Sequence, residues 1–175
     1  MNEPVRSVSM KIQVGGLSEG SHDYAFEADG RALDLGDGIT SPVRVSARLE
    51  KTGTQVFLTV QTETTGTFPC DRCLAPFDRT LSPRYRMTYV CDADEAGQFD
   101  PAEVQVISPA LTVIDITEDV RQTILLAVPL KLVCRENCQG LCPTCGVNWN
   151  DAPCSCREES VDTRWDALRN LGTKN

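Results

Sequence analysis

Apolar side chains recur at every second position through much of the first half of the chain. A period of two with one apolar face is typical of a half-buried β-strand. Two such runs meet across Lys51-Thr-Gly-Thr54 and predict a β-hairpin over residues 42–62. Their apolar members are Val43, Val45, Ala47 and Leu49, then Val56, Leu58 and Val60.

The pattern continues over residues 77–90, where Pro83 indicates an edge or a bulge because proline cannot donate to a sheet ladder. Residues 8–14 and 24–28 are shorter strand candidates. We therefore expect an antiparallel sheet of about five strands.

The period changes after residue 115. Asp115 and Glu118 have the spacing of a capping box, a side-chain acceptor followed three residues later by Glu. Pro129 ends the pattern, so we predict one main helix over about 115–128 that packs its apolar stripe on the sheet. The stripe comprises Ile116, Val120, Ile124, Ala127 and Val128. A short terminal helix is predicted over 162–171.

These elements predict an α+β fold: an antiparallel β-sheet packed by one main helix, with a C-terminal zinc-ribbon-like appendage and a short terminal helix. The 175 residues are enough to bury a core. We expect a β-rich main domain over 1–133 and a cysteine-rich segment over 134–175. No segment approaches the roughly 18 apolar residues of a membrane helix, and the N-terminus does not resemble a signal peptide. We therefore expect a cytoplasmic protein without a membrane partner.

Eight of the nine cysteines fall into four close pairs. Cytosolic thiols stay reduced, so clustered cysteines there more often ligate a metal than form disulfides. Four thiolates match the tetrahedral preference of zinc, and eight suffice for two Zn²⁺ ions. The pairs are Cys70 and Cys73, Cys134 and Cys138, Cys142 and Cys145, and Cys154 and Cys156.

The strongest of these motifs is Cys142-Pro-Thr-Cys145-Gly146, because glycine can take the positive φ that such a turn often requires. Cys154 and Cys156 follow closely and complete a four-thiolate ribbon. The pair at Cys70 lacks the trailing glycine. Four pairs divide between two sites in three ways, and spacing alone does not exclude a site built from Cys134, Cys138, Cys142 and Cys145.

Charge is distributed unevenly. The net charge is −8, yet residues 91–120 hold eight acidic and no basic side chains, which leaves 17 of each sign elsewhere. A locally positive face for nucleic acid is therefore possible, and ordinary solvated strand residues explain the same pattern equally well. The candidate contacts are Arg72, Arg79, Arg84 and Arg86.

Enzyme functions find little support in the sequence. Catalytic zinc usually keeps an open position beside histidine or carboxylate ligands, and the single histidine, His22, is far from every cysteine pair. We see no glycine-rich phosphate loop and no Ser/His/Asp arrangement, so we expect no catalytic residues and no small-molecule substrate.

Three stretches together resemble the YceD family, bacterial and plastid proteins linked to accumulation of the large ribosomal RNA. They are Pro69-Cys-Asp-Arg-Cys-Leu74, the segment 115–129, and Val133-Cys-Arg-Glu-Asn-Cys-Gln-Gly-Leu-Cys-Pro-Thr-Cys-Gly146 with Asn148 and Asn150 after it. The resemblance covers roughly residues 40–172. Trp149 departs from it, being bulkier than the leucine expected there.

The resemblance implies a role in synthesis, processing or stability of large-subunit ribosomal RNA, without known catalysis. Some family members lack the last four cysteines, which supports grouping Cys70, Cys73, Cys134 and Cys138 as one site and Cys142, Cys145, Cys154 and Cys156 as the other.

Our leading hypothesis is a ribosome-assembly factor that contacts a ribosomal RNA precursor or a large-subunit ribosomal protein. The alternatives are a redox- or zinc-responsive regulator, which should release zinc in mild peroxide, and a zinc-ribbon module in transcription.

Overall fold

The structure is a computed structural model that describes residues 8–156. Eight strands and two helices lie within this range. In chain order they are β1 Lys11–Gln13, β2 Gly20–Asp29, β3 Pro42–Thr52, β4 Gln55–Pro69, β5 Pro76–Leu81, β6 Arg84–Val90, α1 Ala93–Ala96, β7 Val104–Val106, β8 Val113–Asp115 and α2 Thr117–Ala127. The sheet-rich fold with few helices is confirmed. The terminal helix expected over 162–171 lies outside the described residues.

Six strands form the main sheet, in the order β2-β3-β4-β6-β7 with β5 paired to the far part of β4. Strands β1 and β8 form a separate antiparallel pair. One edge departs from the antiparallel arrangement that the sequence predicted, because β7 runs parallel to β6. The connection through α1 carries the chain back along the sheet, and a parallel pair requires such a crossover.

Strand β4 is fifteen residues long and serves as one arm of an extended hairpin. Its first half pairs with β6 and its second half with β5. The returning arm is broken at Pro83, whose carbonyl accepts a hydrogen bond from the Thr62 N–H at 2.9 Å. Residues 70–75 form the turn, so the first cysteine pair lies at the tip of this arm.

The alternation over β3 and β4 has the predicted consequence: one face of the sheet is buried and the other is exposed. Leu49 and Leu58 are register partners and are 0% and 1% exposed. Burying each leucine contributes about 1.5–3 kcal/mol. Val120 and Ile124 of α2 belong to the same core cluster.

Helix α2 begins differently from the prediction. Its N-cap residue, Ile116, makes no side-chain capping hydrogen bond, and Glu118 accepts from Arg121 and Gln122 instead. Asp115 ends β8, and its carboxylate accepts from the backbone N–H of Thr117 at 3.0 Å. The predicted capping box is therefore wrong, because this aspartate closes the turn between strand and helix.

Candidate metal centres

The structure gathers eight cysteines into two clusters. Within each cluster the four sulfur atoms lie within 4.8 Å of one another. The first cluster comprises Cys70, Cys73, Cys134 and Cys138, and the second comprises Cys142, Cys145, Cys154 and Cys156. The rival division, with Cys134 and Cys138 beside Cys142 and Cys145, is not the one that the fold brings together.

The sulfur separations in the first cluster fit a tetrahedral ion. Cys70 Sγ lies 3.8 Å from Cys138 Sγ, and Cys73 Sγ lies 3.7 Å from Cys134 Sγ. Zinc–sulfur bonds of about 2.3 Å in a tetrahedron separate the sulfurs by about 3.8 Å. A disulfide would need about 2.05 Å. The donor set therefore suits one soft divalent ion.

The tip of the β4–β5 hairpin positions the first two ligands. Cys70 N–H donates to the Ala75 carbonyl, and Leu74 N–H donates to the Cys70 carbonyl, both at 2.9 Å. Asp71 anchors the partner segment: its N–H donates to the Leu132 carbonyl, and its carboxylate accepts from the Leu132 N–H at 2.6 Å. This ladder brings Cys134 to the tip.

The second cluster uses the same turn. Gly146 N–H donates to the Cys142 carbonyl at 2.9 Å, and Gly146 has a φ of +74°. Leu74 occupies the equivalent position in the first turn with a φ of +59°, although it is not glycine. Sequence analysis therefore ranked the Cys70–Cys73 motif too low, since its turn forms without the glycine that usually allows a positive φ.

The two clusters differ in exposure. Cys70, Cys73 and Cys138 are buried and border apolar side chains, including Phe77. In the second cluster only Cys142 is buried, and Cys145 is exposed. The second cluster is therefore the more open to solvent.

Hydrogen bonds favour ionisation of Cys70 in the first cluster and of Cys142 in the second. Burial opposes ionisation of Cys70, but backbone N–H groups, including those of Cys134 and Arg72, outweigh it and lower its pKa to about 6. The Cys145 N–H lowers the pKa of Cys142 to about 6 in the same way, against the effect of burial. A thiolate is the form that binds metal.

Cys134 in the first cluster and Cys156 in the second resist ionisation when their neighbours are charged. Burial, then the adjacent thiols, raise the pKa of Cys134 to about 12. The Cys145 thiol, then burial, raise the pKa of Cys156 to about 12. Four like charges at this spacing need a cation to balance them, so this pattern also fits a metal site.

Side-chain donors to the sulfurs are the functional residues that the sequence analysis missed. Trp149 Nε1 lies 3.4 Å from Cys154 Sγ, and Asn150 Nδ2 lies 3.3 Å from Cys138 Sγ. The Asn150 amide helps to lower the pKa of Cys138, although burial opposes it. The Asn148-Trp-Asn150 sequence was the available signal, but spacing does not show which sulfur each side chain reaches.

The four candidate arginines do not form one surface. Arg72 Nη1 donates to the Cys138 carbonyl at 2.7 Å, so it supports the first cluster. Arg79 is half-buried, and its partner Gly66 lies on the core face of β4. Arg84 and Arg86 are exposed on the opposite face, beside Gln61 and Thr59 of β4.

A family model described as large ribosomal RNA subunit accumulation protein YceD matches residues 58–172, a span that contains both clusters. An uncharacterized protein of Mycobacterium tuberculosis is 33% identical over 141 residues, which is 78% of this chain and 63% of that protein. The chain therefore spans less than two thirds of that relative's length.

Two plant relatives carry descriptive names. Both are called large ribosomal RNA subunit accumulation protein YCED homolog 1, chloroplastic. The Arabidopsis thaliana protein is 33% identical over 63 residues, 36% of this chain and 20% of that protein. The Zea mays protein is 45% identical over 49 residues, 27% and 17% respectively. No solved structure matches. Among the described residues, no helix has the length and apolar character to cross a bilayer.

Proposed function

The chain belongs to the YceD family, and on this premise we propose that it is a non-catalytic, zinc-stabilised factor in assembly of the large ribosomal subunit. It would support synthesis, processing or stability of large-subunit ribosomal RNA in the cytoplasm. The family match carries this proposal, since it extends over 58–172 and its description names that RNA. The regulator and transcription-module alternatives are not favoured by the comparisons.

The proposed role of the metal is structural. Each four-cysteine cluster would hold one Zn²⁺, with all four coordination positions filled by protein. A closed site of this kind leaves no position for a substrate or an activated water, which supports a function without catalysis. Elemental analysis should find about two zinc ions per chain. One ion that is lost on Cys142→Ser but retained on Cys70→Ser would contradict this.

We also infer how the helix and the cysteine-rich segment are attached to the sheet. Helix α2 would be the one main helix that packs on the sheet, supported by Val120 and Ile124 in the common core cluster. Residues 134–175 would form the zinc-binding appendage. Cys134 and Cys138 would attach it to the main domain, because their partners Cys70 and Cys73 lie on the β4–β5 hairpin.

Arg84 and Arg86 are the proposed RNA contacts. They alternate on one strand, which separates them by about 6.6 Å at 3.3 Å per residue, and both point to the exposed face. The ion pairs found within residues 8–156 involve other arginines, including Arg44 with Glu63 at 3.7 Å on the same face. Arg84 and Arg86 are thus the charges best placed to meet phosphates, while a large-subunit ribosomal protein is the alternative partner.

Two measurements test this proposal. Depletion of the protein should lower accumulation of large-subunit ribosomal RNA, and unchanged levels would contradict the family-based role. With fragments of the ribosomal RNA precursor, affinity should fall with salt, and Arg84→Gln with Arg86→Gln should reduce the log–log slope by about 1 per arginine. Arg44→Gln is the matched control. A salt-independent affinity would contradict an electrostatic RNA contact and favour the protein partner.

A further inference from the structure

The loop of the second cluster reaches into the first. Asn150 lies between Cys145 and Cys154 in the chain, so the second cluster closes the loop that contains it. Its side-chain amide nevertheless lies 3.3 Å from Cys138 Sγ, which belongs to the first cluster. One residue therefore connects the two sites directly at a sulfur atom.

The Asn150 carboxamide is held on all sides. Its oxygen accepts from the Gln139 N–H at 2.9 Å, and its nitrogen donates to Asn148 Oδ1 at 2.7 Å as well as to Cys138 Sγ. Two donors and the acceptor are thus in use, which fixes the amide orientation. The Asn150 backbone N–H also donates to Asn148 Oδ1 at 3.1 Å.

The adjacent residue attaches the same loop to both clusters. Trp149 N–H donates at 2.9 Å to the carbonyl of Gly140, which lies midway in the chain between Cys138 and Cys142, and its indole Nε1 lies 3.4 Å from Cys154 Sγ. Successive side chains therefore point to different clusters: Trp149 to the second and Asn150 to the first. Cys145 and Cys154 flank this loop, so closure of the second cluster would restrain it at both ends.

We propose that Asn150 is a positioning residue that couples the two metal sites. Metal at the second cluster fixes the loop, the loop holds the Asn150 amide against the Cys138 thiolate, and the first cluster binds its metal more tightly. Hydrogen-bond partners of metal ligands typically change metal affinity by about 10- to 100-fold. Coupling between sites is reciprocal, so metal at the first cluster strengthens the second by the same factor. The inference rests on both clusters binding metal, as proposed above.

The coupling is measurable with cadmium in place of zinc, because each four-thiolate site then gives its own cadmium NMR signal. Competition with EDTA in the full chain yields the affinity of the first cluster. In the otherwise native chain, Asn150→Ala should weaken that site by about 10-fold or more and shift its cadmium resonance. Gln139→Ala is the matched control, because it removes a side-chain amide that has no hydrogen bond to sulfur and keeps the backbone N–H that donates to Asn150. It should change neither the affinity of the first cluster nor its cadmium resonance.

A double-mutant cycle separates coupling from simple support. Opening the second cluster with Cys145→Ser and Cys156→Ser should weaken the first by about 10-fold when Asn150 is present and by little in the Asn150→Ala chain. Equal losses in both backgrounds, or an unchanged first cluster in Asn150→Ala, would overturn the inference while leaving the metal sites in place. Absence of cadmium signals from the native chain would overturn both it and the proposed zinc binding.

Discussion

Removing one ligand from each cluster should have unequal effects on the fold. The first cluster joins residues far apart in the chain: Cys73 and Cys134 are separated by 61 positions. In the second, Cys145 and Cys154 are nine positions apart. Treated as cross-links, these closures raise the free energy of the unfolded chain, by loss of its conformational entropy, by about 4 kcal/mol for the first cluster and about 2.5 kcal/mol for the second. Metal bound only by the folded chain adds this constraint to stability.

Hydrogen exchange measured with zinc present tests this difference. Cys73→Ser should lower the free energy of unfolding by about 4 kcal/mol, which accelerates exchange of the slowest amides in residues 43–60 by about a thousandfold. Cys154→Ser should accelerate hydrogen exchange of the amides in residues 140–156. It should accelerate exchange in residues 43–60 by at most about tenfold, through the weaker metal binding of the first cluster that the Asn150 coupling predicts.

Cys91→Ser serves as the control, because Cys91 lies outside both clusters and its sulfur contacts only the Thr54 carbonyl among the hydrogen bonds of the described residues. Equal acceleration of exchange in residues 43–60 by Cys154→Ser and by Cys73→Ser would contradict the predicted difference.

Three further changes have defined outcomes. Leu74→Gly should raise the free energy of urea unfolding by about 0.5 kcal/mol, because the left-handed conformation costs a leucine about 1–2 kcal/mol and glycine loses about 0.5–1 kcal/mol in chain entropy. Gly146→Ala should lower the free energy of unfolding by about 1 kcal/mol. Shifts of the opposite sign would contradict the shared turn. Lowering the pH should weaken zinc binding, measured by chelator competition, by about tenfold per pH unit for each proton displaced. The pKa values of Cys134 and Cys156 are raised to about 12, so both thiols are protonated at neutral pH without metal and must lose a proton to bind it. A pH-independent affinity would refute this. Arg72→Ala should lower the free energy of unfolding by about 1–2 kcal/mol while the salt dependence of RNA binding stays unchanged, and a reduced salt slope would instead make Arg72 an RNA contact.

The predictable part of the fold is the part with a sustained period. Strand β3 and residues 55–62 of β4 were evident because they show several cycles of apolar alternation. The second half of β4, to Pro69, was not predicted, because Thr64 and Gly66 occupy its buried face. Strands β7 and β8 have three residues each, too few to display a period, and their pairing depends on distant chain segments. The start of α2 was misplaced because Asp115 fits either a helix cap or a turn after a strand, and tertiary position decides between them.

The candidate sites show a similar division. Pair spacing identified all eight clustered cysteines, but it did not decide which pairs meet, because that depends on where the β4–β5 hairpin places its tip. The pair at Cys70 was ranked below the Cys142 motif because it lacks a trailing glycine, yet hydrogen bonds at that tip hold Leu74 in a left-handed conformation. Asn148 and Asn150 were visible in the sequence, but the contact of Asn150 with Cys138, twelve residues earlier, was not.

The long closure of the first cluster has a consequence in time. During synthesis at about 5–20 residues per second, Cys134 is added about 3–12 s after Cys73, whereas Cys154 follows Cys145 within about 2 s. Until Cys134 and Cys138 are added, Cys70 and Cys73 supply only two of the four sulfurs of the first cluster. The first cluster can therefore be completed only after the cysteine-rich segment has been synthesised, whereas all four cysteines of the second cluster lie within that segment.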